Sequence, residues 1–96
     1  MAKTNNTTTW VLVGQQNGQP FAEAKSYKTN MRAWMAGKKL LKKMYPDVPC
    51  YDNYKDSKRK KTEVTSHPEY IEFDSLSFFR NGVRTFQYFI YPVALQ

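Results

Sequence analysis

Alternating apolar and polar positions occupy both ends of the chain, and a central stretch repeats its apolar positions every three to four residues. Residues 10–13 are β-formers, and Asn17-Gly18 follows them. That dipeptide signals a type I′ hairpin, because both central residues of the turn need positive φ. A two-residue loop pairs Gln16 with Gln19, Gly14 with Phe21 and Leu12 with Glu23. This register gives Val11, Val13, Ala22 and Ala24 one small apolar face, suited to lie beneath a helix. Trp10, Leu12, Phe21, Glu23 and Lys25 fall on a mixed face nearer to water.

From Asn30 onward the apolar positions are Ala33, Trp34, Gly37, Leu40, Leu41 and Met44, a single helical stripe. Ser26 or Thr29 can cap this helix, and Pro46 and Pro49 end it. Ala33 and Gly37 are small enough to let it approach a sheet closely. Arg32, Lys39 and Lys43, with Lys28, Lys38 and Lys42, cover the other side. Lysines in a last turn also complement the helix dipole, so part of this basicity has a structural cause.

Residues 50–62 show no apolar period and predict a long exposed basic loop. Asn81-Gly82 then repeats the hairpin signal. Pairing Arg80 with Val83 puts Ser77 opposite Phe86 and Phe73 opposite Ile90. Ile71, Phe73, Phe79, Phe86, Tyr88 and Ile90 form the expected core face. Leu76, Phe78, Phe89 and Tyr91 form a second face, interspersed with Glu72, Asp74 and Gln87. The two Asn-Gly motifs have unlike flanks, so no internal repeat is inferred. The pattern predicts an α+β fold of order β-β-α-β-β, a small antiparallel sheet of two hairpins with one helix packed on one face. Residues 1–9 are expected to be a flexible tail, and 10–96 a single domain.

Composition narrows this further. A chain of 96 residues holds one domain, and 41% hydrophobic residues can build a core. No apolar run approaches the length of a membrane span, and residues 10–13 are too short for a secretory segment. Asn5-Asn6-Thr7 carries no weight as a glycosylation acceptor without such a segment. One cysteine, Cys50, excludes an internal disulfide framework and a thiolate cluster. A reducing, cytoplasmic setting is expected. The net charge is +7, and it is unevenly placed. Residues 25–61 hold twelve Lys and Arg against three acids, while the remainder is slightly acidic. Such clustering favours a polyanionic partner, since grouped cations sum their potentials. A solvated helix face and loop is the plain alternative.

Catalytic and cofactor motifs are absent. His67, before Pro68, has no Ser or Cys placed by motif to use it, and no phosphate-cradling or dinucleotide glycine pattern occurs. Cations near Cys50 would raise its reactivity, yet it lacks a placed histidine. Asp52, Asp56 and Glu63 match positions of a calcium loop. Tyr54 and Ser57 occupy its third and sixth positions, and the five intervening cations would repel the metal. Residues 84–91 space Arg and aromatics as an RNA-recognition motif does, but Thr85 and Gln87 hold its small positions and the second helix is missing. No enzyme, metal or cofactor is expected.

The function these features favour is nucleic-acid binding by a small accessory domain, of the kind that phages and mobile elements encode. Lys38, Lys39, Lys42 and Lys43 on the helix, and Lys55, Lys58, Arg59, Lys60 and Lys61 in the loop, would contact phosphates. The alternative is a protein that docks on an acidic host surface and inhibits or adapts its owner. Tyr45, Tyr51 and Tyr54 among the lysines suit either partner. Phe78, Phe89 and Tyr91 are expected to be covered by a partner, by a second copy in a homodimer, or by the segment around Trp10.

Overall fold

The computed structural model describes residues 8–20, 24–52 and 61–94. Its elements are β1 (Thr8–Gln16), β2 (Gln19–Pro20), β3 (Lys25–Tyr27), α1 (Asn30–Met44), β4 (Cys50–Tyr51), α2 (Lys61–Thr65), β5 (Glu69–Glu72), β6 (Ser77–Arg80) and β7 (Val83–Ala94). All seven strands belong to one mixed sheet in the order β2-β1-β7-β6-β5-β4, with β3 also paired to β1. The β4–β5 pair is parallel and the others are antiparallel.

This overturns the expected sheet of two hairpins under one helix. The chain is mostly sheet, for three physical reasons. First, residues 10–16 pair with three segments: β2 and β3, and β7, which joins them to the rest of the sheet. Gln16 faces Gln19 as expected, but Leu12 faces Lys25 instead of Glu23, a register slip of two residues. Phe21, Ala22 and Glu23 lie outside the described residues. Second, the last hairpin is a three-stranded meander. Residues 73–76 turn the chain between β5 and β6, with Leu76 at φ 51°. A leucine seldom adopts that left-handed conformation, so its sequence carries no turn signal. Third, Cys50 and Tyr51 form an edge strand beside β5, and Lys61 and Thr62 begin α2. Both ends of the expected 50–62 loop are therefore ordered elements. Residues 53–60 lie outside the described residues. At the N-terminus, Thr8 and Thr9, expected in the tail, pair with Ala94 and Val93.

Both Asn-Gly turns form, with Asn17, Gly18, Asn81 and Gly82 all at positive φ. The facing of the strands differs from expectation. On β1, Leu12 and Gly14 are buried, while Val11 and Val13 are half-buried on the other side. On β6, the register shifts between Phe78 and Phe79, so Phe78 faces Phe86 and Ser77 faces Gln87. Thr85 is the extra residue, and such a bulge exchanges the two faces of a strand. Phe78 thus joins the core at 1% exposure, while Phe79 turns outward onto Tyr70.

Helix α1 forms over the stripe that its spacing predicts. Thr29 caps it, its Oγ1 accepting from the Arg32 N–H at 3.0 Å. Ala33, Gly37 and Leu41 are buried against the sheet, with Trp34, Leu40 and Met44 half-buried beside them. Tyr45, just beyond α1, stacks on Phe78 with ring centroids 3.8 Å apart. Leu12, Leu41, Ile71, Phe73, Leu76, Phe78, Phe86 and Tyr88 make the core. Leu76 and Phe78 are thereby covered within the chain. Short α2 packs on β4 and β5.

Gly37 sets the approach of α1 to the sheet. A Cβ at that position would lie 2.9 Å from Leu76 Cδ1 and 3.4 Å from Leu12 Cδ1. Both leucines are buried and cannot swing away. Gly37→Val should therefore lower unfolding stability by about 1–3 kcal/mol. A urea midpoint unchanged from the parent would show that the helix stands farther off.

Candidate nucleic-acid interface

One row of α1 places Met31, Met35, Lys38 and Lys42 at helical spacings of four, three and four. Met31 and Met35 are 61% and 57% exposed, large apolar residues on a face otherwise made of cations. Arg32, Lys39 and Lys43 stand beside this row and are exposed, as is Lys42. The helix contains no acidic residue.

A groove of about 700 Å³ opens along this side of α1. Met35 and Ala36 from the helix, Tyr27 from β3, Cys50 from β4 and Phe73 from the β5–β6 turn supply apolar wall. Arg32, Lys38, Lys39 and Lys42 supply the cations, and Asp52 supplies one carboxylate. Its size is that of a small-ligand cleft, and apolar walls with a few polar groups are the usual composition of such a site.

Lys38 and Asp52 are fixed to one another. Lys38 Nζ donates to Asp52 Oδ2 at 2.7 Å, with side chains 16% and 5% exposed. The ammonium also lies 4.3 Å from the centroid of the Trp34 ring and 5.1 Å from that of Phe73. Trp34 Nε1 in turn donates to the Phe73 carbonyl at 3.3 Å. The sequence places Lys38 among phosphate-binding lysines, whereas the fold holds it in an ion pair over two aromatic faces. It ties α1 to the end of β4.

Lys61 is similarly engaged. Its Nζ reaches Glu72 Oε2 at 2.5 Å and lies 6.0 Å from the Tyr51 ring centroid. The hydrogen bond from Lys61 to Glu72 pushes the lysine pKa up, against a smaller opposing effect of burial. Burial alone would raise Glu72. Hydrogen bonds from Lys61 and Ser75, with the charges of Lys61 and Arg84, outweigh it and hold the carboxyl below its ordinary value.

Of the residues that the sequence singles out for phosphate contact, the fold presents Lys39, Lys42 and Lys43 together on one exposed side of α1. Lys38 and Lys61 are in ion pairs. Lys55, Lys58, Arg59 and Lys60 lie outside the described residues. The expected partner surface is divided. Phe78 is core, while Phe89 is half-buried and Tyr91 is 46% exposed, the two rings stacked at 6.2 Å. Opposite them on β1 lie Val13 and Val11. Arg32, Tyr27, Met35, Cys50 and Phe73 were not marked as site residues by the sequence. An exposed methionine off the apolar stripe was the available signal for Met35. Tyr27 and Phe73 come from distant segments, and only the assembled sheet brings them to the helix.

Among the described residues no three His, Cys, Asp or Glu side chains converge to hold a metal ion, and no helix is long and apolar enough to cross a membrane. No family model, curated protein or solved structure matches the chain.

Two lysine variants separate the structural cation from the exposed one. Lys38→Met keeps the stem over Trp34 and Phe73 but removes the ion pair to Asp52 and the cation above the two rings, and should cost about 1–3 kcal/mol. Lys39→Met should change stability by less than about 0.5 kcal/mol. Equal urea midpoints for the two variants would contradict the assignment. Glu72 makes a separate prediction from pH. Its folded value lies below the ordinary 4.5, so its contribution is complete above about pH 4.5 and disappears as acid takes the pH through the lower folded value. Stability curves of the parent and Glu72→Gln should converge in acid and separate above it. Curves that stay parallel throughout would mean that this pairing adds nothing.

Proposed function

We propose that this chain is a non-enzymatic nucleic-acid-binding domain that holds phosphates with the outer side of α1. The observation that carries this reading is the acid-free cationic side of the helix. No described carboxylate pairs with Arg32, Lys39, Lys42 or Lys43. Unpaired cations on one rigid element keep their full attraction for a polyanion, because no neighbouring charge cancels it. Phosphate contacts of this kind position a nucleic acid and do not read its sequence. The adjoining groove supplies apolar wall next to the cations, the combination on which bases and phosphates are bound together.

A second reading is docking on another protein through the face opposite α1. It is supported by Tyr91 and Val93, 46% and 43% exposed, beside Phe89, Val11 and Val13. An exposed apolar patch of that kind suits a protein partner and not a polyanion.

Salt separates the two. Affinity for nucleic acid should fall steeply with salt, by about 0.7–0.9 log units per log unit for each phosphate contact. Replacing Lys39, Lys42 and Lys43 together by Gln should flatten that slope by roughly two units and weaken all sequences alike. Fluorescence anisotropy at several salt concentrations makes the measurement. No binding by the parent protein even at low salt would sink the proposal and leave protein docking in its place.

A further inference from the structure

We infer that the groove beside α1 seats an unpaired base, so that the nucleic acid bound by this chain is single-stranded. The inference rests on the nucleic-acid reading above and adds the form of its ligand. Arg32, Lys39 and Lys42 do not stand on a convex surface. They border a concave one whose wall is Tyr27, Met35 and Phe73. A duplex presents phosphates outward and keeps its bases stacked, so it would use the cations and leave the groove empty. A single strand can put a phosphate on the rim and turn the adjoining base onto the apolar wall.

Distance along the helix fits this division. Arg32 and Lys39 are separated by about 10 Å of helix at ~1.5 Å per residue, with Met35 between them. Arg32 and Lys39 therefore flank an apolar step at Met35. Tyr27 is half-buried and Met35 exposed, so both offer surface to a ligand. A flat ring and a thioether stack on any base, which makes the predicted contact tolerant of sequence. Asp52 also lines the groove, but its carboxylate is committed to Lys38 and does not confront the phosphates as a free charge. An acidic peptide would use the same cations. It would gain less from Tyr27, because carboxylate side chains have no ring to stack.

The test compares short single-stranded oligo(dT) with a duplex of equal length, by anisotropy at one low salt concentration. The parent should prefer the single strand by about tenfold or more. Tyr27→Leu keeps an apolar side chain on β3 and removes the stacking ring. It should weaken the single strand by roughly five- to a hundredfold and leave the duplex unchanged. Met35→Ala, at an exposed position outside the core, should act in the same direction with a smaller effect, so a folding defect in the first variant does not decide the matter. Equal affinities for both forms, or a duplex preference that survives Tyr27→Leu, would overturn the inference while the phosphate-binding reading stands. Absence of binding to either form would overturn both.

Discussion

The close approach of α1 to the sheet at Gly37 is the constraint on which the rest depends. With no side chain at that position, the helix lies directly on Leu12 of β1 and Leu76 of the β5–β6 turn, two leucines far apart in sequence. Leu76 holds its place through a left-handed backbone conformation that costs free energy for a branched residue. Packing against the helix offsets that cost, so the turn and the helix stabilise one another. Because the helix lies so low, its next residue, Lys38, can reach Asp52 at the opposite edge of the sheet. Its outer flank then overhangs β4 and the β5–β6 turn, and the groove is the space left between them.

Net charge is a poor guide to which cations are available. Lys38 and Lys39 are neighbours in sequence with unlike fates. The helical step of about 100° sends one inward to a carboxylate and two rings, and leaves the other in water. Lys61 follows the first pattern from a different element, anchoring α2 to Glu72. Arg80 also has a carboxylate partner, Glu69. Cations used in this way tie the two helices to the sheet and β6 to β5. Arg32, Lys39, Lys42 and Lys43 have no carboxylate partner among the described residues.

Much of this was legible in the sequence where local chemistry decides. The two Asn-Gly turns and the α1 stripe with its Thr29 cap needed only spacing and residue type. The strands between them depended on tertiary choices. A bulge at Thr85 turned Phe78 inward and Phe79 outward, and no residue type there announces it. On β1, the apolar Val11 and Val13 read as the natural floor for a helix. The helix instead packs on Leu12, and Gly14 on the same face makes room for the Phe86 and Tyr88 rings. A Cβ at Gly14 would stand 2.9 Å from Phe86 Cζ. The groove was hidden for a related reason: Tyr27, Cys50 and Phe73 lie on separate segments and meet α1 only after the sheet is assembled.

The proposed function puts the ligand on the helix side of the sheet, at the groove beside α1. Nuclear magnetic resonance titration with a short single-stranded oligonucleotide tests it most directly, because it reports on both faces at once. Shifts should be confined to the Met35 methyl, Tyr27, Cys50 and the exposed α1 lysines, with Val11, Phe89, Tyr91 and Val93 unmoved. Shifts centred on Phe89, Tyr91 and Val93, with the α1 side silent, would contradict it.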